Sequence, residues 1–112
     1  MFQDDVIAAV ATPIGEGGLA VVRVSGKNAI QVVDQGFRGK RRLASARTHT
    51  AHFGHFANRT GEVIDEIIAT VYKEPSSYTG ENSCEISCHG GVFVIKSILS
   101  SLIEFGCRLA QP

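Results

Sequence analysis

The chain has 112 residues, a formal net charge of zero, 44% hydrophobic residues and 20% charged residues. These values are typical of one compact soluble domain with a modest core. They exclude a membrane-spanning protein, since no apolar run approaches the roughly 20 residues that a span requires. The acidic start, residues 1–5, is unlike a signal or transit peptide, which predicts a cytoplasmic protein.

The three cysteines predict reduced, packed thiols. Cys84, Cys88 and Cys107 are an odd number, so they cannot form a closed disulfide framework. Cys84 and Cys88 are also too few ligands for a structural zinc site.

The N-terminal half of the chain predicts two strands and a helix. Residues 6–11 and 19–24 are short apolar runs of strand type, separated by a glycine-rich loop. Residues 27–35 predict a helix with Ile30 and Val33 facing inward. Ser25 is predicted to cap this helix, and Gly36 to end it in a left-handed conformation.

The C-terminal half predicts a hairpin, a third strand, a helix and a last strand. Residues 50–57 and 63–73 form the hairpin, and residues 83–89 alternate cleanly, with Glu85 and His89 on the polar face. A helix from Gly91 to Gly106 carries one apolar stripe, and residues 107–110 are strand-like. The apolar stripe consists of Val92, Ile95, Ile98, Leu99, Leu102 and Phe105. The order β, β, α, β, β, β, α, β predicts an α/β (α+β) fold, a mixed sheet with amphipathic helices packed on it.

Charge is separated along the chain. Residues 35–61, called here the basic segment, contain six bases and no acid, whereas residues 61–112 contain seven acids and three bases. The basic segment is either a solvated loop or a weak contact for RNA phosphate. No aromatic residue is interleaved with its clustered bases at residues 38–47, which argues against sequence-specific RNA recognition.

Arg23 and Glu85 are the candidate ligand-binding residues. Arg23 lies inside an apolar strand, where an arginine lies at a sheet edge, pairs with a carboxylate, or aims its planar donor fork at a ligand. Glu85 is either exposed on a wet sheet face or accepts paired hydrogen bonds from an N–H-rich heterocycle. His89 precedes two glycines and has no orienting acid near it in the sequence.

Other constellations are excluded. The loop at residues 15–18 is followed by a β-branched strand rather than a helix, so it is not a phosphate loop. His49, His52 and His55 are spaced by three and alternate faces in a strand, so they predict no metal site. No catalytic triad or acid–base carboxylate pair is recognisable, and we assign no catalytic residue.

Four motifs in register resemble one family. They are Ala11-Thr12-Pro13 with Gly15-Glu16-Gly17-Gly18, Val22-Arg23-Val24-Ser25-Gly26, Ser77-Tyr78-Thr79-Gly80-Glu81-Asn82, and Cys88-His89-Gly90-Gly91. Together they resemble the N-terminal domain of the tRNA modification GTPases of the MnmE (TrmE) family, over nearly the whole chain. One departure is Asn82, where family members often carry aspartate.

The resemblance implies a role in tRNA modification. It implies that residues 1–112 are a single folate-binding, homodimerising domain, a fragment of a longer chain that also has helical and GTPase domains. The full-length proteins act with the flavoprotein MnmG (GidA) on C5 of the wobble uridine of tRNA. A tetrahydrofolate derivative, 5-formyl- or 5,10-methylene-tetrahydrofolate, supplies the one-carbon unit, and GTP, Mg²⁺ and K⁺ bind outside these residues.

The family's folate contacts fall on Arg23 and Glu85. The resemblance implies that Glu85 accepts hydrogen bonds from the pterin and that Arg23 donates one to a polar atom of the folate. Without GTPase motifs, the chain is not expected to be catalytic alone. The alternatives are a purely structural dimerisation module and an RNA-binding α/β module that uses the basic segment.

Overall fold

The computed structural model describes residues 5–12, 18–75 and 80–110. Within them, seven strands form one sheet in the order β3-β4-β5-β6-β2-β1-β7. The strands are β1 (Ile7–Val10), β2 (Leu19–Ser25), β3 (Phe37–Gly39), β4 (Thr50–Ala57), β5 (Val63–Tyr72), β6 (Ser83–His89) and β7 (Arg108–Leu109). Neighbours are antiparallel except β1 and β7, which run parallel, so the predicted mixed sheet is confirmed.

Two helices, α1 (Ala29–Asp34) and α2 (Val92–Phe105), pack on one face of the sheet and touch each other. The core lies between them and the inward side chains of the central strands. Cys84, Ile86 and Cys88 of β6 are all buried there, as the alternation in this strand predicted. The α/β fold with helices on a mixed sheet is therefore the observed architecture.

On the opposite side of the sheet, residues 5–12, 18–75 and 80–110 place no helix, and we call the central part of that side the open face. It comprises Leu19, Val21, Arg23, Ile68, Thr70, Tyr72, Glu85, Ser87 and His89. The strand registers align these side chains in rows across β2, β6 and β5. The predicted polar face of β6 is thus part of a larger surface.

The prediction for the start of α1 was wrong. Ser25 is the last residue of β2 rather than a helix cap, and α1 follows Asn28. Gly36 does not adopt a positive φ, so it does not end α1 in a left-handed conformation. A Cβ there would lie 2.6 Å from the ring of Phe56 and 2.8 Å from the carbonyl oxygen of Ala57. Glycine is needed at this position because β4 packs against it.

The second helix departs from its predicted stripe at two residues. Val92 is 50% exposed, although the periodicity placed it inside. Ser101, predicted on the wet face, is buried, and its hydroxyl donates to the carbonyl oxygen of Ser97 at 2.9 Å. A buried serine is stable here because this bond within the helix satisfies its hydroxyl. Gly106 ends α2 with φ 122°, as the sequence indicated.

The basic segment is more ordered than its composition indicated. It contains β3 and a single 3₁₀ turn, Leu43–Ser45, before β4 begins. The buried carboxylate of Asp34 accepts the backbone N–H groups of Leu43 (2.7 Å) and Ala44 (3.0 Å). A loop of mainly basic residues is therefore fastened at its C-terminal end to α1. In the described residues, no helix is long and apolar enough to cross a membrane.

Candidate functional site

The structure brings Arg23 and Glu85 into direct contact on the open face. They are cross-strand partners in the register of β2 and β6. Arg23 donates from Nε (3.0 Å) and from an Nη atom (2.7 Å) to the same oxygen, Oε2 of Glu85. The side chains are 35% and 26% exposed, so the pair is half-buried and reachable from solvent. A donor fork and an acceptor separated by 62 residues form one unit.

Tyr72 of β5 lies beside this pair. Burial raises the pKa of its phenol, the negative charge of Glu85 raises that pKa further, and the positive charge of Arg23 partly offsets the effect. A hydrogen bond to Glu85 acts in the same upward direction. The ring is held edge-on against His49, with 5.1 Å between the ring centroids. Tyr72 therefore stays protonated at neutral pH and adds an O–H group next to the carboxylate, which the sequence analysis did not single out.

His89 has an orienting acid after all. Asp65 of β5 accepts the backbone N–H of His89 at 2.8 Å and lies 2.8 Å from its ring Nδ1. The Asp65 side chain is 13% exposed, whereas the imidazole is 64% exposed. If Nδ1 carries the proton, the carboxylate fixes the ring with Nε2 turned away from it. The sequence could not indicate this partner, because only the placement of β5 beside β6 brings it near.

Apolar side chains complete the open face. Leu19 is 71% exposed, Ile68 is 45% exposed, and Val21 is half-buried between them and Arg23. Val21 and Ile68 both lie opposite Ser87 in their registers. Arg23 and Glu85, whose polar groups can bind the edge of a planar ring, thus have apolar side chains one row away along the strands. The arrangement suits a flat heterocycle with both N–H and carbonyl groups.

Two sizeable cavities among the described residues lie elsewhere. One of about 590 Å³ lies between α2 and the start of β5, and one of about 670 Å³ is lined by Arg38, Arg42 and Arg59 among others. Neither of these cavities is lined by Arg23 or Glu85. Of the glycine-rich loop, residues 13–17 lie outside the described residues, as do residues 76–79 of the third motif.

The thiols are not part of this site. Cys84, Cys88 and Cys107 are buried and unpaired. Burial raises the pKa of Cys88 to about 11 and that of Cys107 to about 12, and it raises the pKa of Cys84 as well. In the described part of the chain, no group of histidine, cysteine and acidic residues could hold a metal ion.

Comparison with known proteins identifies the family. The family model described as "GTP-binding protein TrmE N-terminus" matches residues 6–112. A tRNA modification GTPase MnmE of Salinibacter ruber is 49% identical over 112 residues, 100% of this chain and 24% of that protein. The MnmE protein of Lactobacillus acidophilus is 47% identical over 96% of this chain and 23% of its own length.

A third relative, the tRNA modification GTPase MnmE of Acholeplasma laidlawii, is 44% identical over 98% of this chain. It too is covered over only 24% of its length. The chain thus spans about a quarter of the relatives that it matches. With the family model matching nearly all of it, the chain belongs to the TrmE N-terminus family.

Proposed function

We propose that this chain binds a tetrahydrofolate derivative on its open face, as a domain that serves tRNA modification. The observation that carries the proposal is the direct contact of Arg23 with Glu85 beside Tyr72. One carboxylate, one guanidinium and one phenol form a compact set of donors and acceptors. This set fits the edge of a reduced pterin, which presents ring N–H, amino and carbonyl groups.

The role of each residue follows from its chemistry. Glu85 accepts hydrogen bonds from the pterin N–H and amino group, because a carboxylate can accept two parallel bonds. Arg23 donates to a polar atom of the folate while its two hydrogen bonds hold the Glu85 carboxylate in place. Val21 and Ile68 supply apolar surface for the ring. Bound folate would supply a one-carbon unit, whereas these residues bind and orient it.

The test is calorimetric titration of 5-formyltetrahydrofolate into the wild type, Glu85→Gln and Arg23→Ala. Each variant loses a hydrogen bond to a charged group, so binding should weaken by about tenfold or more. Glu66→Gln is a matched control, since Glu66 is an exposed carboxylate of β5 that pairs with His55 at 3.8 Å rather than with Arg23. Affinity unchanged in both site variants would remove the assignment.

We further propose that the domain forms a homodimer. The exposed apolar side chains of Leu19 and Ile68 on the open face favour contact with a second copy. The competing possibility is a purely structural dimerisation module with no ligand. Sedimentation of the chain tests the dimer, and the folate titration distinguishes the two possibilities, because only the first requires folate binding.

For the whole protein we propose the tRNA modification and GTPase activity that the relatives' names describe, with the details that the family resemblance implies. A longer chain would hydrolyse GTP with Mg²⁺ and K⁺, act with MnmG in the cytoplasm, and modify C5 of the wobble uridine of tRNA. The 24% coverage of the relatives supports the view that these functions need residues beyond this chain. In vitro modification of tRNA by the full-length protein, with and without Glu85→Gln, tests whether folate binding serves that reaction.

A further inference from the structure

Four bases of the basic segment lie in β3 or directly after it. Arg38, Lys40, Arg41 and Arg42 are all exposed, and they line one cavity of about 330 Å³ with Phe37 and Gly39. Arg38 is held by the carbonyl oxygens of Gln35 (3.0 Å) and Phe37 (3.3 Å). Four of the six bases, already close together in residues 38–42 of the sequence, thus lie on one continuous surface.

Lys40 and Arg41 differ from their neighbours in having no local partner. Neither makes an ion pair or a side-chain hydrogen bond with another residue in the described ranges. Arg42, by contrast, lies 3.9 Å from the carboxylate of Asp34. Because that carboxylate also accepts two backbone N–H groups, it is occupied, and it holds the chain just after these bases in place. Their charges are thus exposed at the surface and unpaired within the part of the chain that the structure describes.

An aromatic ring lies next to these two bases. A cavity of about 380 Å³ is lined by Lys40, Arg41, Ala51, His52 and Phe53. Phe53 is 63% exposed, and its ring makes an edge contact with His55, with 5.9 Å between the ring centroids. In the sequence, Phe53 is separated from Arg41 by twelve residues. The antiparallel pairing of β3 with β4 brings the ring back beside the bases.

Of the nearby acids, Glu66 is paired with His55 at 3.8 Å, and two others lie toward Arg59. Glu104 shares the cavity of Arg59, Arg38 and Arg42, and Glu62 shares a further cavity with Arg59. Neither acid lines the cavity of Lys40, Arg41 and Phe53. An anion should therefore prefer the Lys40 side to the Arg59 side.

We propose that Lys40, Arg41 and Phe53 form a binding site for a single-stranded nucleic acid. The two bases contact phosphates, and Phe53 stacks on an unpaired base. The cavity of about 380 Å³ falls within the range of sites that hold small ligands. The site is separate from the Arg23–Glu85 pair, so the inference goes beyond the proposed folate binding and does not depend on it.

The test measures binding of a fluorescein-labelled oligouridine of about ten nucleotides by fluorescence anisotropy at several salt concentrations. Lys40→Ala combined with Arg41→Ala should lower the slope of log K against log salt by about 1.4, at about 0.7 per phosphate contact. Phe53→Leu should weaken binding at least about fivefold, whereas Phe53→Tyr should preserve it. Phe53 is exposed, so these variants leave the core intact, and sedimentation checks that they share one oligomeric state.

The matched control is Lys96→Ala, compared with Arg41→Ala. Lys96 is an exposed base on α2, in a cavity that also contains Glu62 and Glu104. An equal loss in both variants would mean non-specific attraction and would overturn the site. Equally tight binding of a duplex, or of oligoglutamate, would overturn the stacking role or the nucleic-acid assignment. A titration with oligothymidine of the same length tests the preference for the sugar. Tighter binding of oligouridine would assign the site to RNA, and equal affinity would assign it to single-stranded RNA and DNA alike; both results support the site.

Discussion

Replacing Asp34 with alanine should destabilise the fold by about 3 kcal/mol, since hydrogen bonds to a charged acceptor contribute about 1.5–3 kcal/mol each. The carboxylate is 4% exposed, and it accepts the backbone N–H groups of Leu43 (2.7 Å) and Ala44 (3.0 Å). The N–H of Leu43 is buried and would lose its partner, whereas the N–H of Ala44 is nearer to solvent. The expected loss of about 3 kcal/mol therefore corresponds to one complete hydrogen bond and part of a second.

The assay is urea unfolding at neutral pH, followed by far-UV circular dichroism. A loss of about 3 kcal/mol corresponds to a fall in melting temperature of about 12 °C for a domain of this size. Asp34→Asn keeps one acceptor oxygen and should lose about half as much. Glu66→Ala, on the exposed sheet surface, should stay within about 0.5 kcal/mol of the wild type. If Asp34→Ala behaves like this control, the carboxylate does not hold the 3₁₀ turn.

Two further predictions concern packing and the thiols. Gly36→Ala should destabilise the domain by about 1–3 kcal/mol in the same assay, because its Cβ would lie 2.6 Å from the Phe56 ring. Gly61→Ala is the comparison variant: its Cβ would meet nothing within 4 Å, so any loss there reports backbone strain at φ +91° and not a steric contact. The raised thiol pKa values mean that the native state favours the neutral form, so the thiols' contribution to stability should be constant below pH 9.0 and be lost as the pH rises through 11 for Cys88 and 12 for Cys107. A urea midpoint that stays constant from pH 9 to 11, or rapid labelling of the native thiols at pH 8, would contradict this burial.

Local sequence patterns and contacts between distant residues contributed differently to the prediction of the open face. The alternation of β6 and the turn before β5 are local patterns, and they gave the bounds of β4 and β6 residue for residue. Arg23 and Glu85 were chosen individually from their surroundings in the sequence. That they contact each other is a property of the β2–β6 register, which no local pattern states. Whether they contact folate stays a prediction.

Contacts between distant elements were the ones that sequence reasoning missed. Asp65 is 24 residues from His89, and it became its partner only because β5 and β6 lie side by side. Gly36 was predicted from its backbone freedom at a helix end, whereas the structure requires glycine there because a Cβ would collide with the ring of Phe56. In the same way, residues 38–47 contain no aromatic side chain, which argued against stacking on RNA bases. The pairing of β3 with β4 nevertheless places Phe53 beside Lys40 and Arg41.

By itself, the sequence determined six of the seven described strands, the presence of both helices and the α/β class, because side-chain periodicity and turn residues act over a few neighbours. The short strand β3 was not predicted. The tertiary structure alone decided which charged groups meet, which face stays uncovered and where the basic residues gather. The physical reason is that strand register and helix packing are set by the summed burial of the whole core. A pairing such as Arg23 with Glu85 is a consequence of that sum, and it exists only once the sheet has formed.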